Sequence, residues 1–277
     1  MRFDSLLAAA GAAPNLILNI LLPLYFLAGI YVYVSLIRQI SARTSLSVDE
    51  PKRTFGLPEA ILAGALIFLL LLNVSASVSN RPAQLNPRNL LENLVFTLGV
   101  VLLIVAFLRF RGFDLSALAG FFKITFLRAL STGTILILAA YPLISLVDAV
   151  TRRLFGNGSS KQSIVELFSG SRTIEQRIMI IVFAVAIAPV VEEFLFRFFL
   201  YGVLKRYFGR FLGITVNALL FAAAHTHFPS FAPLFILGSC FTIAYEWSGS
   251  ILVAMTMHSL FNSVSLTVLA FPELFPQ

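Results

Sequence analysis

Charged residues are scarce in this chain of 277 residues, where Asp, Glu, Lys and Arg together make up 12%. A typical soluble domain has about 25% charged and about 45–50% apolar residues. Here 58% of the residues are hydrophobic and the mean hydropathy is +0.92. A soluble fold of this size could not bury so much apolar surface. The composition therefore predicts a membrane protein whose outer side chains contact lipid instead of water.

Cysteine and phosphate-binding motifs are also lacking. The single cysteine, Cys240, lies inside an apolar run without a second cysteine. An intramolecular disulfide framework and a thiolate zinc site are therefore excluded. Neither G-x-G-x-x-G nor G-x-x-x-x-G-K-[ST] occurs, and no internal repeat is visible. Nucleotide-driven transport by this chain alone is therefore unsupported.

Basic residues outnumber acidic ones, 20 to 13, which gives a formal net charge of +7. They do not form a stripe typical of a nucleic-acid-binding surface. Most of them lie at the ends of apolar runs, as expected for membrane anchors and orientation signals: Arg38, Arg43, Lys52, Arg53, Arg109, Arg111, Lys205, Arg206 and Arg210. We therefore expect the lipid bilayer as a partner and no nucleic acid.

Long apolar runs predict an all-α polytopic membrane protein with about eight transmembrane helices. A helix needs roughly 20 mainly apolar residues to cross the hydrocarbon core. Eight runs approach or exceed that length: residues 15–38, 56–79, 89–110, 127–149, 177–204, 211–227, 230–248 and 250–271. We expect the first helix to be retained, because the small residues 8–13 precede its apolar run, whereas a cleavable signal has them after it.

The longest polar insertion, residues 151–175, predicts a boundary between two regions. Residues 1–150 contain four predicted helices of unassigned role. Residues 151–277 contain four helices that carry nearly all the polar side chains inside apolar runs. The mixed segment 112–126 is predicted to lie along the membrane surface.

Two adjacent acids and an arginine lie inside the fifth run. Such groups are rare in membranes, because each costs about 2.5–3.5 kcal/mol on insertion scales. Glu193 and Arg197 are four residues apart, so they share a helix face and can pair. Glu192 points about 100° away and remains available for another partner. One Glu and one Arg suffice for a buried pair that fixes helix packing, so the second acid favours a chemical role as a general base.

All three histidines follow in the last quarter of the chain. His225 lies four residues after Phe221, among alanines that allow another helix to approach closely. His227 is interpreted as a packing residue near the end of that run. His258 and Asn262 are four residues apart in the eighth run. Alone they could form interhelical hydrogen bonds, but together with the acids they supply donors for a developing oxyanion.

These residues lie in motifs that resemble those of the CPBP intramembrane peptidases, the CAAX proteases and bacteriocin-processing enzymes also called the Abi family. EEFLFR at Glu192–Arg197 matches EExxxR, FAAAH at Phe221–His225 matches FxxxH, and HSLFN at His258–Asn262 matches HxxxN. The stretch Leu237–Ile251 also resembles the family's glycine-rich helix and following turn. The motifs occur in order, each in a separate predicted helix, over roughly residues 165–270.

The resemblance implies a catalytic site of six side chains: Glu192, Glu193, Arg197, His225, His258 and Asn262. The first acid and His225 would activate a water, and His258 with the asparagine would stabilise the tetrahedral oxyanion. Glu193 and Arg197 would orient and support the first acid. The mechanism implied is that of a glutamic endopeptidase, similar to CAAX prenyl endopeptidases, without cofactor or metal ion.

The resemblance also implies that residues 151–277 are a CPBP/Abi-like catalytic core. The substrate would be a peptide or protein, with lipidated and membrane-anchored ones among the candidates. The location implied is a bacterial cell membrane, which the chain crosses several times.

Three other hypotheses use the same residues. A zinc-dependent membrane metalloprotease could take Glu192, His225 and His258 as ligands, although HExxH is absent. A non-proteolytic membrane scaffold or bacteriocin self-immunity protein would keep the fold without needing a general base. A proton-coupled transporter could relay protons through Glu and His, but the sequence does not show the two matching halves typical of such proteins.

Overall fold

The computed structural model describes residues 3–43, 54–79, 87–155, 167–168, 170–171 and 173–271. Within these ranges the chain is helical and has no strand, which confirms the all-α prediction. The α-helices are α1 Phe3–Arg43, α2 Leu57–Ser79, α3 Pro87–Phe110, α4 Leu115–Ala119, α5 Phe126–Phe155, α6 Ile174–Val182, α7 Ala188–Glu193, α8 Tyr201–Ala224, α9 Phe231–Ser248 and α10 Ile251–Ala270. Two π-helical turns, Phe183–Ile187 and Phe194–Leu200, join α6, α7 and α8.

Seven helical stretches of the described chain are long and apolar enough to cross a membrane. The fifth and sixth predicted runs form one stretch, Ile174–Ala224, of 51 residues. At about 1.5 Å per residue it would be about 77 Å long if straight, against about 30 Å for the hydrocarbon core. A straight rod is therefore excluded for a single crossing.

The stretch folds back at Gly209, whose backbone has φ 78° and ψ 174°. A Cβ on Gly213 would lie only 3.1 Å from the backbone nitrogen of Lys205, although eight residues separate them. In a continuous helix these residues would be about 12 Å apart. The first arm, residues 174–208, and the second arm, residues 210–224, therefore lie side by side. The described residues thus contain seven stretches that can cross a membrane, against about eight predicted.

Some element bounds differ from the predicted ones. Helix α1 begins at Phe3 rather than near residue 15, because its alanine-rich start also favours a helix. The predicted surface segment contains only the short helix α4. Asp114 caps it by accepting hydrogen bonds from the backbone of Ser116 and Ala117, and Gly120 with φ 67° ends it. About half of the predicted polar insertion 151–175, namely residues 156–166, 169 and 172, lies outside the described residues, and its two ends belong to α5 and α6.

One hydrophobic core runs through both predicted regions, from Tyr33 in α1 to Met257 in α10. Glycines allow the helices to approach closely. A Cβ on Gly29 would lie 2.5 Å from the carbonyl oxygen of Ala139, where α1 meets α5. A Cβ on Gly133 would lie 2.7 Å from the side chain of Thr256, where α5 meets α10. Helix α5 therefore packs closely against both α1 and α10. The division of roles between 1–150 and 151–277 stays a prediction.

An ion cluster holds the turn at Gly209 against its neighbours. Glu246 in α9 accepts from Lys205 Nζ at 2.7 Å and from Arg210 Nε at 2.8 Å. Arg210 also donates through Nη1 to the carbonyl oxygen of Ile40, at 3.1 Å. The ends of α1 and α9 are thereby tied to the turn, and the two arms keep their relative positions.

Candidate active site

Three predicted side chains from three helices meet inside the bundle. Glu192 comes from α7, His225 directly follows α8, and His258 comes from α10. Glu192 Oε2 lies 4.0 Å from His225 Nε2 and 3.9 Å from His258 Nε2. The side chains of Glu192 and His225 are 29% and 25% exposed, whereas that of His258 is 4% exposed. Glu192 and His225 are therefore partly accessible from outside the protein, whereas His258 lies in its interior.

The second acid forms a fully buried network on the inner side. Glu193 Oε1 accepts from Arg197 Nη1 at 2.9 Å and lies 2.8 Å from His258 Nδ1. Arg197 also donates through Nη2 to the carbonyl oxygen of Gly238, at 3.3 Å. The structure thus contains the expected pair four residues apart. Glu193 contacts His258 and does not contact its neighbour Glu192, because adjacent helix positions point about 100° apart.

Two aromatic rings enclose the buried arginine. The guanidinium carbon of Arg197 lies 4.2 Å from the ring centre of Phe221 and 5.1 Å from that of Phe241. These cation–π contacts stabilise the charge in an apolar setting. The same rings pack on the histidines: Phe221 on His225 at 4.7 Å, and Phe241 on His258 at 5.1 Å. Phe241 was not predicted, because its role follows only from the packing of α9.

The hydrogen bonds of the histidines determine which ring nitrogen carries hydrogen. His225 Nδ1 lies 2.8 Å from the carbonyl oxygen of Phe221. A carbonyl only accepts, so Nδ1 donates, and Nε2 is the ring nitrogen that faces Glu192. His258 Nδ1 likewise donates to the Glu193 carboxylate. Glu192 Oε2 is buried and has no hydrogen-bond partner among the described residues.

Asn262 holds α10 against the first arm. Its Nδ2 donates to the carbonyl oxygen of Ala184 at 2.8 Å. In a π-helical turn each carbonyl oxygen accepts from the N–H five residues later, as that of Phe183 does from Ala188. The residue five after Ala184 is Pro189, which has no N–H. The Ala184 carbonyl is therefore left for a side chain. The predicted approach of Asn262 to the oxyanion stays a prediction.

His227 lies apart from the cluster described above. It follows the second arm, and its Nδ1 lies 2.7 Å from Ser230 Oγ in the next turn. Among the described residues no three His, Cys, Asp or Glu side chains are arranged to hold a metal ion. The predicted absence of a metal and of a cofactor stays a prediction.

Comparisons with known proteins match the part of the chain that contains this cluster. The family model described as "Type II CAAX prenyl endopeptidase Rce1-like" matches residues 174–264. The "Membrane-embedded CAAX protease MroQ" of Staphylococcus aureus (strain USA300) is 33% identical over 96 residues, which are 32% of this chain and 39% of that protein. The chain thus covers well under half of that relative. No solved structure matches the chain.

Proposed function

We propose, from the chain's membership of the CPBP family through residues 174–264, that it is an intramembrane endopeptidase. In our proposal Glu192 and His225 activate the water that attacks the peptide bond. The observation that carries this proposal is the meeting of one carboxylate and two imidazoles at about 4 Å within a multi-pass membrane protein. Ionisable groups inside membrane-spanning helices are rare and usually functional.

The gap between Glu192 and His225 suits a water molecule. Their facing atoms are 4.0 Å apart, too far for a direct hydrogen bond. Two acceptors that each bind one water at about 2.8 Å lie about 4–5 Å apart. Such a water would donate one hydrogen to each residue and direct an oxygen lone pair at the peptide carbon. The base that takes its proton could return it to the leaving amine.

His258 and Asn262 are proposed to stabilise the oxyanion. His258 Nδ1 is engaged by Glu193, so the ring can donate to an oxyanion only through a protonated Nε2. Glu193 and Arg197 are therefore positioning residues for His258 in this proposal. One amide hydrogen of Asn262 is used by Ala184, and the other would serve the oxyanion.

The substrate in this proposal is a peptide or protein at the membrane, as for the relative named as a CAAX protease. Lipidated and membrane-anchored chains are candidates. The partial exposure of Glu192 and His225 supports access by a peptide from outside the helix bundle.

Glu192→Gln tests the proposal directly. It keeps the shape of a side chain whose Oε2 has no partner among the described residues, so the protein should accumulate normally. Cleavage should fall at least 100-fold, the usual scale for a lost general base. The measurement compares peptides that accumulate in cells with wild type or the variant. Glu175→Gln, an exposed acid on the same arm, is the matched control and should behave as wild type.

Other outcomes would favour other functions. A cellular phenotype that survives Glu192→Gln at equal protein abundance would indicate a membrane scaffold or self-immunity protein. Loss of cleavage after exhaustive chelation, restored by zinc, would indicate the metalloprotease. Equal cleavage by His225→Ala and wild type would show that the assignment of the water-activating pair is wrong.

A further inference from the structure

Two polar side chains outside the catalytic motifs are completely buried where α8 meets α9. Asn217 in α8 and Thr242 in α9 are both 0% exposed. Asn217 Nδ2 donates to Thr242 Oγ1 at 3.1 Å. Thr242 Oγ1 in turn donates to the carbonyl oxygen of Gly238 at 2.8 Å. These two bonds join the second arm to the backbone of α9.

The direction of each bond follows from which atoms carry hydrogen. An amide nitrogen only donates and a carbonyl oxygen only accepts. Thr242 Oγ1 therefore accepts from Asn217 and gives its single hydrogen to Gly238. The same carbonyl oxygen also accepts from Arg197 Nη2, at 3.3 Å. Gly238 thus receives donors from its own helix and from the first arm.

Arg197 connects this carbonyl to the catalytic cluster. Its Nη1 donates to Glu193 Oε1 at 2.9 Å, and the same carboxylate oxygen lies 2.8 Å from His258 Nδ1. The side chains of this series of hydrogen bonds, from Asn217 to His258, are all buried. Hydrogen bonds are stronger in such a setting of low dielectric constant, and neighbouring bonds reinforce one another. A change at Thr242 can therefore reach the imidazole ring.

Packing alone does not account for the polar pair between α8 and α9. Asn217 Oδ1 has no hydrogen-bond partner among the described residues. An unbonded buried atom lowers stability, and apolar side chains of the same shape would avoid that loss. Thr242 also bonds to the carbonyl four residues before it, an arrangement that often bends a helix and slightly destabilises it. Both features favour a role other than stability.

We propose that Thr242 is a positioning residue for the proposed hydrolysis. Asn217 orients the Thr242 hydroxyl, and that hydroxyl bends α9 so that the carbonyl it bonds to faces the first arm. The carbonyl anchors one end of the Arg197 guanidinium, and the other end holds Glu193 against His258. This inference rests on the proposed endopeptidase function, in which His258 is an oxyanion donor.

The test combines steady-state kinetics with thermal unfolding of the full-length protein purified in detergent micelles. The substrate is a peptide from a digested bacterial proteome that wild type cleaves and Glu192→Gln leaves intact. Thr242→Val removes the hydroxyl and keeps the shape, whereas Thr242→Ser keeps the hydroxyl. Thr256→Val is the matched control, because it makes the same exchange at a half-buried position of α10 that packs on Gly133 in α5.

We expect Thr242→Val to lower kcat about fivefold while KM changes little, because the residue acts on the oxyanion donor and not on substrate binding. Thr242→Ser and Thr256→Val should keep the wild-type kcat. The unfolding temperatures of the two valine variants should be similar. If Thr242→Val does not fold, Thr242→Ala, which also lacks the hydroxyl, decides by the same comparison.

A double variant shows whether Thr242 acts through the second acid. In a Glu193→Gln background, Thr242→Val should lower kcat less than twofold further, because the bond to His258 is already weakened. Losses from independent sites would multiply instead. Multiplied losses, or a loss in Thr242→Ser as large as in Thr242→Val, would overturn the positioning role.

The kinetics also separate this inference from the function on which it rests. If wild type cleaves a peptide that Glu192→Gln leaves intact and Thr242→Val keeps the wild-type kcat, the positioning role is overturned and the endopeptidase stands. If wild type cleaves no more than Glu192→Gln, the endopeptidase proposal is overturned and the positioning role with it.

Discussion

At the scale of single residues, the pair of Glu193 and Arg197 places two charges away from water. Both side chains are completely buried. Taking two charges out of water is favourable only when each keeps its partner. The additional contacts of Arg197 with Gly238 and Phe221 accommodate a second donor and the charge. Arg197 Nε and Glu193 Oε2 have no hydrogen-bond partner among the described residues.

We therefore predict that Glu193→Ala lowers the free energy of unfolding by about 3–5 kcal/mol, because Arg197 is left as an uncompensated buried charge. Thermal unfolding in mild detergent measures the loss. The double variant Glu193→Gln with Arg197→Met should lose less than the sum of its single changes. Additive losses would contradict the coupling of the two side chains.

The contact of Glu193 with His258 leads to a second prediction at this scale. Glu193→Gln weakens the hydrogen bond that holds His258 Nδ1. Because His258 is the proposed oxyanion donor, kcat should fall about tenfold while KM changes little. Steady-state kinetics of the variant and wild type measure this difference.

Glu59→Gln is the matched control for this experiment. Glu59 is also buried and pairs with an arginine, Arg111 at 3.0 Å, but it lies in α2, which carries no histidine. Its replacement should affect stability and leave kcat and KM unchanged. Equal kcat for Glu193→Gln and wild type would show that Glu193 only supports packing.

At the scale of elements, the hairpin at Gly209 places the acid opposite the first histidine. The first arm carries Glu192 and the second arm leads to His225, and the turn returns one to the other. Gly209 adopts φ 78°, which side chains rarely adopt, and no neighbour lies within 4 Å of the space for a Cβ. Only backbone conformation therefore opposes a larger residue there.

We predict that Gly209→Ala destabilises the protein by about 1–3 kcal/mol through backbone strain. The change should also lower cleavage, because it disturbs the approach of the two arms. Unfolding temperature and cleavage rate in the same preparation measure both effects. Gly99→Ala in α3 is the control: space is open there too, but the backbone is helical, so stability should hold or rise slightly.

The packing of α5 matters at the scale of the whole molecule. Its buried residues Ala129, Leu136, Ile137, Ala140 and Ile144 belong to the same core as the C-terminal helices. The helix also lines a cavity together with α9 and α10. A fragment that contains only the helices with the catalytic motifs would therefore lack part of its hydrophobic core.

We expect a fragment of residues 151–277 to be degraded or to aggregate, because α10 would expose the face that packs on Gly133. Co-expression with residues 1–155 should restore a folded, extractable complex. Size-exclusion profiles after detergent extraction measure this. A monodisperse, active fragment would show that the N-terminal helices are dispensable.

The sequence by itself determined the class of protein, the apolar runs and the possible pairing of Glu193 with Arg197. Composition decides whether lipid or water surrounds a fold, and a spacing of four residues decides which side chains share a helix face. The three motifs likewise identified the helices that carry the site. The hairpin at Gly209 could be expected from the two adjacent runs 177–204 and 211–227, because together they are too long for one crossing.

Only the tertiary structure decided which partner each side chain has. Glu193 meets His258, Asn262 meets Ala184, and Phe241 lies beside Arg197. These contacts depend on how each helix is rotated about its axis and how deep it lies, and hydropathy does not encode either quantity. The cavity between α5, α9 and α10 has the same origin, because α5 lies far from the other two helices in the sequence and meets them only in the folded core.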